Sequence, residues 1–126
     1  MSTKINVLLT GASGAVGREV LKQLYEANTY NITVFDIKTS KSVKILSQYS
    51  HAIEIIYGNI ANALDIKAAC TKKDVVIHLA AIIPPLADEQ PALSNRVNVI
   101  GTENLIRALE HDSPNAFLIY SSSISV

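Results

Sequence analysis

The chain has 126 residues, 48% of them hydrophobic and 17% charged, with 11 basic and 11 acidic side chains and a formal net charge of zero. That is enough apolar material for one cored domain; it excludes a disordered composition, an electrostatic footprint for nucleic acid or an anionic membrane, and an apolar run long enough to span a bilayer. The single cysteine, Cys70, excludes an intramolecular disulfide and a cysteine-based metal cluster, and a strand and a glycine loop stand where a secretory leader would place an apolar stretch.

Short apolar runs alternate with helix-period patterns, the signature of β-α-β units around a parallel sheet. The first predicted strand covers residues 4–9. A helix follows over 15–27, with Val16, Val20, Leu21 and Leu24 on one face. Strand two covers 32–36, a weaker helix 41–48, strand three 53–57 and a short helix 64–70. Strand four, 75–79, is apolar except for His78, as expected of a strand covered on both faces. A loop containing Pro84-Pro85 leads to a long helix over 90–110, with Val97, Ile100, Leu105, Ala108 and Leu109 as its core side. Gly101 falls inside that helix, where glycine is unfavourable, so a close packing contact is expected there. Strand five covers 117–121.

Right-handed crossovers leave one leading arrangement: an α/β, doubly wound parallel sheet of order 3-2-1-4-5, forming a single domain over residues 1–126. Ligands bind such sheets at the carboxyl ends of strands one and four, where the order reverses. Gly11, His78-Leu79-Ala80-Ala81 and Ser121-Ser122-Ser123 all fall at strand carboxyl ends, so they are expected to converge on one crevice.

Thr10-Gly11-Ala12-Ser13-Gly14-Ala15-Val16-Gly17 carries the strongest signal. A buried strand runs into a glycine turn and then a helix, which is how a protein offers backbone N–H groups and a helix N-terminus to a pyrophosphate. In such turns one glycine makes the bend, one lets the backbone approach phosphate, and one lets the helix pack closely. The spacing here is G-x-x-G-x-x-G, one residue wider than G-x-G-x-x-G, and no Gly-Lys-Ser/Thr follows, which excludes a phosphate-binding P-loop. An ordinary strand–helix turn is the alternative on the glycines alone. Asp36 ends strand two, about 20 residues further on, where a carboxylate accepts hydrogen bonds from adenosine ribose hydroxyls and repels a 2′-phosphate. This favours NAD over NADP; Lys38, two residues on, softens the preference, and a turn-opening Asp is the plain reading. The Gly58-Asn59-Ile60 turn reads equally as an adenine contact and as a simple turn. His78 reads as a satisfied core histidine and Cys70 as packing.

The glycine turn, Asp36, Gly58-Asn59-Ile60, His78-Leu79-Ala80-Ala81, Asn98-Val99-Ile100-Gly101-Thr102-Glu103-Asn104-Leu105 and Tyr120-Ser121-Ser122-Ser123 occur in that order. Together they are similar to the extended branch of the short-chain dehydrogenase/reductase family, the NAD-dependent epimerase/dehydratase group, along the whole chain. The resemblance implies a Rossmann domain that binds NAD. Gly11, Gly14, Gly17 and the backbone around Ala15 and Val16 would hold the pyrophosphate and Asp36 the ribose. Asn59 and Ile60 would flank the adenine, although the family more often has Asp where Asn59 stands. Leu79, Ala80 and Ala81 would line the cofactor, Asn98 would make a polar contact near it, and Ser123 matches the catalytic Ser/Thr that bonds the reacting oxygen, with Ser122 one register away.

In that family a Tyr with a Lys four residues later moves the substrate proton. Here Tyr25, Tyr30, Tyr49, Tyr57 and Tyr120 are followed at that spacing by Thr29, Val34, Ile53, Ala61 and Ile124. The expectation is therefore the cofactor-binding, N-terminal part of a longer epimerase, dehydratase or reductase acting on a hydroxyl or carbonyl carbon, inactive by itself. Nucleotide sugars are the commonest substrates of the resembling group and come first; the apolar Ile82-Ile83-Pro84-Pro85-Leu86 loop, if it faces substrate, points to a less polar compound. A non-catalytic NAD(H) sensor is the alternative, and a domain binding another nucleotide or none is the bland one. No nucleic-acid, membrane or metal partner is expected, and the location is read as cytoplasmic. The apolar last strand, Phe117-Leu118-Ile119-Tyr120, is expected to pair with another chain, giving a homodimer or edge association.

Overall fold

Leu8 and Leu9 are neighbours on a strand, so they face opposite sides of it, and both are fully buried. The sheet they belong to is therefore covered twice. In the computed structural model, which describes residues 4–79 and 96–120, the elements run β1 Ile5–Thr10, α1 Ala15–Ala27, β2 Tyr30–Asp36, α2 Ser40–Leu46 with a 3-10 turn Ser47–Tyr49, β3 Glu54–Tyr57, α3 Ala63–Lys67, β4 Val75–His78, a π-helical turn Arg96–Ile100, α4 Gly101–Asp112 and β5 Phe117–Tyr120. All described strand pairs are parallel, in the order β3-β2-β1-β4-β5. The doubly wound arrangement expected from the alternating pattern is the one found.

Alternation divides the core. Leu8, Phe35 and Val76 pack with Ile66, Leu105 and Leu109 beneath α3 and α4, while Leu9, Val34 and Ile77 pack with Leu21 and Leu46 beneath α1 and α2. Helix ends follow local chemistry. Thr39 and Ser42 cap α2 reciprocally, the Asn62 side chain accepts from the Leu64 N–H at the start of α3, and Asn28 closes α1 in the left-handed region at φ 54°.

Some expectations shift. Helix α1 spans the residues predicted for it, but Val16, in its first turn, is 66% exposed rather than part of the buried face. The third helix is shorter than predicted and ends at Lys67; Ala69 and Cys70 follow it into the core. Burial pushes the Cys70 thiol up to about 12, so it stays a neutral packing group. The expected long helix is interrupted: within the described residues a π turn precedes α4, and Ile100, predicted for the core, is 38% exposed. Its predicted part over 90–95 lies outside the described residues, as does Ser121 of the last strand.

Gly101 opens α4 at this junction, and the close contact expected for it is present: a Cβ there would stand 2.6 Å from Ile60 Cγ2. Gly101→Ala should therefore destabilise the fold by about 1–2 kcal/mol, overpacking outweighing the helix preference of alanine, as measured by urea unfolding. At the far end, Phe117, Ile119 and Tyr120 of β5 are exposed, leaving an apolar strand at the end of the described sheet. No helix among the described residues is long and apolar enough to cross a membrane, and none of their His, Cys, Asp and Glu side chains group to hold a metal ion.

Candidate dinucleotide site

Because all strands are parallel, their carboxyl ends share one edge. Thr10 pairs with Phe35 and His78, Asp36 with Tyr57, and His78 with Tyr120. Gly11 and His78-Leu79 therefore leave the sheet side by side, as the sequence suggested, with Asp36 and Gly58 on the same edge; Ala80, Ala81 and Ser121-Ser122-Ser123 lie outside the described residues.

The three glycines of the turn have three different explanations. Gly11 sits at φ 78°, a conformation that side chains disfavour, and its N–H donates to the Phe35 carbonyl at 3.2 Å. Gly17 is in contact with the turn itself: a Cβ there would lie 2.1 Å from the Gly11 carbonyl oxygen and 2.8 Å from Ala12 Cα. Gly14 is different. Its backbone is extended, at φ −74° and ψ 169°, and a Cβ would meet only the Gly11 oxygen at 3.6 Å. Among the described residues no contact requires glycine at Gly14. Its missing side chain keeps open the space above the start of α1. No side chain caps that helix, so the N–H groups of its first turn, at Ala15, Val16 and Gly17, face this space with the positive end of the helix dipole.

Asp36 closes the turn from the side. Only 7% exposed, it accepts from the Ser13 N–H through Oδ2 at 2.9 Å and from the Ile37 N–H through Oδ1 at 2.8 Å. The carboxylate thus holds the glycine loop against the end of β2, while each oxygen keeps a lone pair for a ligand hydroxyl. The Gly58-Asn59-Ile60 turn is also secured from within. The Asn59 N–H donates to Asp65 Oδ2, and Asn59 Oδ1 accepts from the Ala61 N–H, both at 2.9 Å. Ile60 does not present its side chain to this edge: it is buried against Gly101 in the α3/α4 core, so an adenine contact at this position falls to its backbone. Leu79 is half-buried on the α1/α2 side, its N–H donating to Thr10, and Asn98 is half-buried in the π turn.

His78 is 2% exposed and fully engaged: Nδ1 lies 2.7 Å from Thr10 Oγ1, Nε2 lies 3.1 Å from Thr102 Oγ1, and the ring stacks on Tyr120 with centroids 5.8 Å apart. Burial lowers its pKa to about 4, so it is neutral near pH 7, the satisfied core histidine that its apolar strand suggested. Sequence reasoning missed the roles of Ser13, Asp65 and Thr102. Ser13 and Thr102 stand inside quoted motifs, yet what they bond is set by elements far along the chain.

A glycine turn ending in an open helix N-terminus, an acid at the next strand end and a 3-2-1-4-5 sheet define a Rossmann domain of the extended short-chain dehydrogenase/reductase type. Within that class the match is narrower: residues 8–126 fit the 3-beta hydroxysteroid dehydrogenase/isomerase family, and the chain belongs to it. It is 30% identical to mouse 3 beta-hydroxysteroid dehydrogenase type 7, over 94% of this chain and 32% of that protein. Among solved structures it is similar to the UDP-N-acetylglucosamine 4-epimerase of Methanobrevibacter ruminantium in complex with UDP-N-acetylmuramic acid (TM-score 0.80, 27% identity, 97% of this chain and 39% of that one). It is also similar to a short-chain dehydrogenase/reductase superfamily protein of Agrobacterium tumefaciens with bound NAD (TM-score 0.71, 25% identity, 94% of this chain and 32% of that one). The chain spans roughly a third of the length of the curated relatives it matches.

Proposed function

We propose that this chain is the NAD-binding part of an oxidoreductase that moves hydride to or from a hydroxyl-bearing or carbonyl carbon. The observation that carries the reading is Gly14: a glycine that the packing of the described residues does not need, directly over an uncapped helix start. A pyrophosphate there would accept from the backbone N–H groups of the first turn, with the helix dipole favouring its charge. Asp36, already held by two backbone N–H groups, would receive the ribose hydroxyls in a fixed orientation and disfavour a 2′-phosphate, so NAD is preferred to NADP. The NAD-bound Agrobacterium structure supports this assignment. When bound, the cofactor supplies the hydride acceptor or donor.

Hydride transfer at such a carbon needs a coupled proton movement. By family resemblance Ser123 would hold the reacting oxygen, and no Tyr-x-x-x-Lys lies within these 126 residues, so this chain by itself is expected to bind cofactor without turnover. For the substrate, the family and the mouse relative favour an apolar secondary alcohol of the hydroxysteroid type, in keeping with the apolar Ile82–Leu86 segment. A nucleotide sugar is the second reading, supported by the Methanobrevibacter epimerase.

Calorimetric titration tests the cofactor site. The wild-type chain should bind NAD+ more tightly than NADP+. Gly14→Val should keep the thermal midpoint within a few degrees yet weaken NAD+ by about tenfold or more, the loss of one charge-assisted contact. Equal NAD+ affinity in Gly14→Val would remove the pyrophosphate from this turn.

A further inference from the structure

The hydroxyl of Thr102 fixes the direction of the two hydrogen bonds made by the His78 ring. Thr102 Oγ1 lies 2.8 Å from the Asn98 carbonyl oxygen, which has no proton to give, so the hydroxyl donates there. Toward His78 the same oxygen must then accept, at 3.1 Å, which places the imidazole proton on Nε2. Nδ1 of the neutral ring is left as an acceptor, and the Thr10 hydroxyl donates to it at 2.7 Å. Thr10 Oγ1 in turn accepts from the Leu79 N–H at 3.0 Å. One unbroken sequence of donors runs from the Leu79 N–H through Thr10, His78 and Thr102 to the Asn98 carbonyl. It begins at the residue that leaves β4 and ends in the π turn, crossing from the sheet to the helix layer.

We infer that Thr102 and His78 are positioning residues for the cofactor site: this directional relay holds the π turn, and with it Asn98, at a set height over the carboxyl edge of β1 and β4. The π turn is where such a tie is needed. A π-helical turn is wider and less stable than an α turn, and such turns persist where other contacts hold them. Thr102 supplies that contact at the joint between the turn and α4. Asn98 is half-buried there, its carbonyl one hydrogen bond from Thr102, which in turn meets His78 at the carboxyl end of β4. The inference rests on the cofactor reading above, together with the polar contact near NAD that the family resemblance implies for Asn98.

The test compares the wild-type chain with Thr102→Val, Thr102→Ala and Thr102→Ser, each titrated with NAD+ by calorimetry, and records the 15N shifts of His78 in each. In the wild type Nε2 should carry the proton and Nδ1 should not. Thr102→Val and Thr102→Ala should weaken NAD+ by about fivefold, the scale of one net hydrogen bond, and Thr102→Ser, which keeps the hydroxyl, should stay within about twofold of wild type. A purely structural role would lower the thermal midpoint of the valine and alanine variants and leave the affinity of the folded protein unchanged. Equal NAD+ affinity in either folded variant, or a proton on Nδ1, overturns the relay while the cofactor reading stands. A wild-type chain that binds no NAD+ overturns the cofactor reading itself, and the inference with it.

Discussion

Gly17→Ala is expected to cost the fold about 3 kcal/mol or more and to lower the thermal midpoint by about 10 °C. A Cβ at this position would meet the Gly11 carbonyl oxygen at 2.1 Å, Ala12 Cα at 2.8 Å and the Gly11 carbonyl carbon at 2.9 Å. All three are backbone atoms, so none can rotate away as a side chain would. Relief requires α1 to lift off the turn, which would also pull Leu21 from the α1/α2 core. The preference of alanine for a helix interior returns only about 1 kcal/mol. Cofactor affinity should fall with stability here, because the same turn carries the first N–H groups of α1. The contrast with Gly14→Val is the informative result: one glycine is needed by the fold, the other, on the proposed reading, by the cofactor. A Gly17→Ala chain with wild-type stability in thermal unfolding would mean that the helix does not seat on the turn.

The second large effect is on acid stability. His78 titrates near 6.5 in an unfolded chain and near 4 in the fold, where burial opposes its charged form. Between those values the unfolded state binds more protons, so stability falls as pH falls. The contribution is fully present above about pH 6.5, declines through the interval and is gone below about pH 4, a loss on the order of 3 kcal/mol. Protonation would also place a proton on Nδ1, against the donating Thr10 hydroxyl. His78→Gln, which cannot titrate, should show a flatter stability profile between pH 6.5 and 4, and the difference between the two urea-unfolding series isolates this group from the carboxylates. Parallel profiles would mean that the ring is protonated in the fold.

The order of elements was legible because it rests on short-range chemistry. Alternating apolar runs read as strands whichever way the sheet is assembled, and helix-period residues such as Leu21, Leu105 and Leu109 are buried as their spacing required. Gly101 was legible as an anomaly, a glycine in a helical pattern, and its contact partner Ile60 was not. Val16 and Ile100 misled: each fits the apolar period of its predicted helix, yet both are exposed, and Ile100 falls in the π turn that breaks the predicted long helix and its register.

The candidate site was legible as a set of positions and not as a set of roles. The sequence by itself determined the glycine turn, the acid at the end of β2 and the gathering of strand ends on one edge, because local backbone geometry and the rule that crossovers are right-handed suffice for these. Only the tertiary structure decided which glycine is packed against the turn and which has open space above the helix start. It likewise decided that Asp36 is held by Ser13, that Ile60 turns inward to Gly101, and that His78 joins Thr10 to Thr102. The physical reason is distance along the chain. Periodicity reports which side of its own element a residue faces, whereas a hydrogen bond between residues 68 apart, as for Thr10 and His78, exists only once the strand order has placed β4 beside β1.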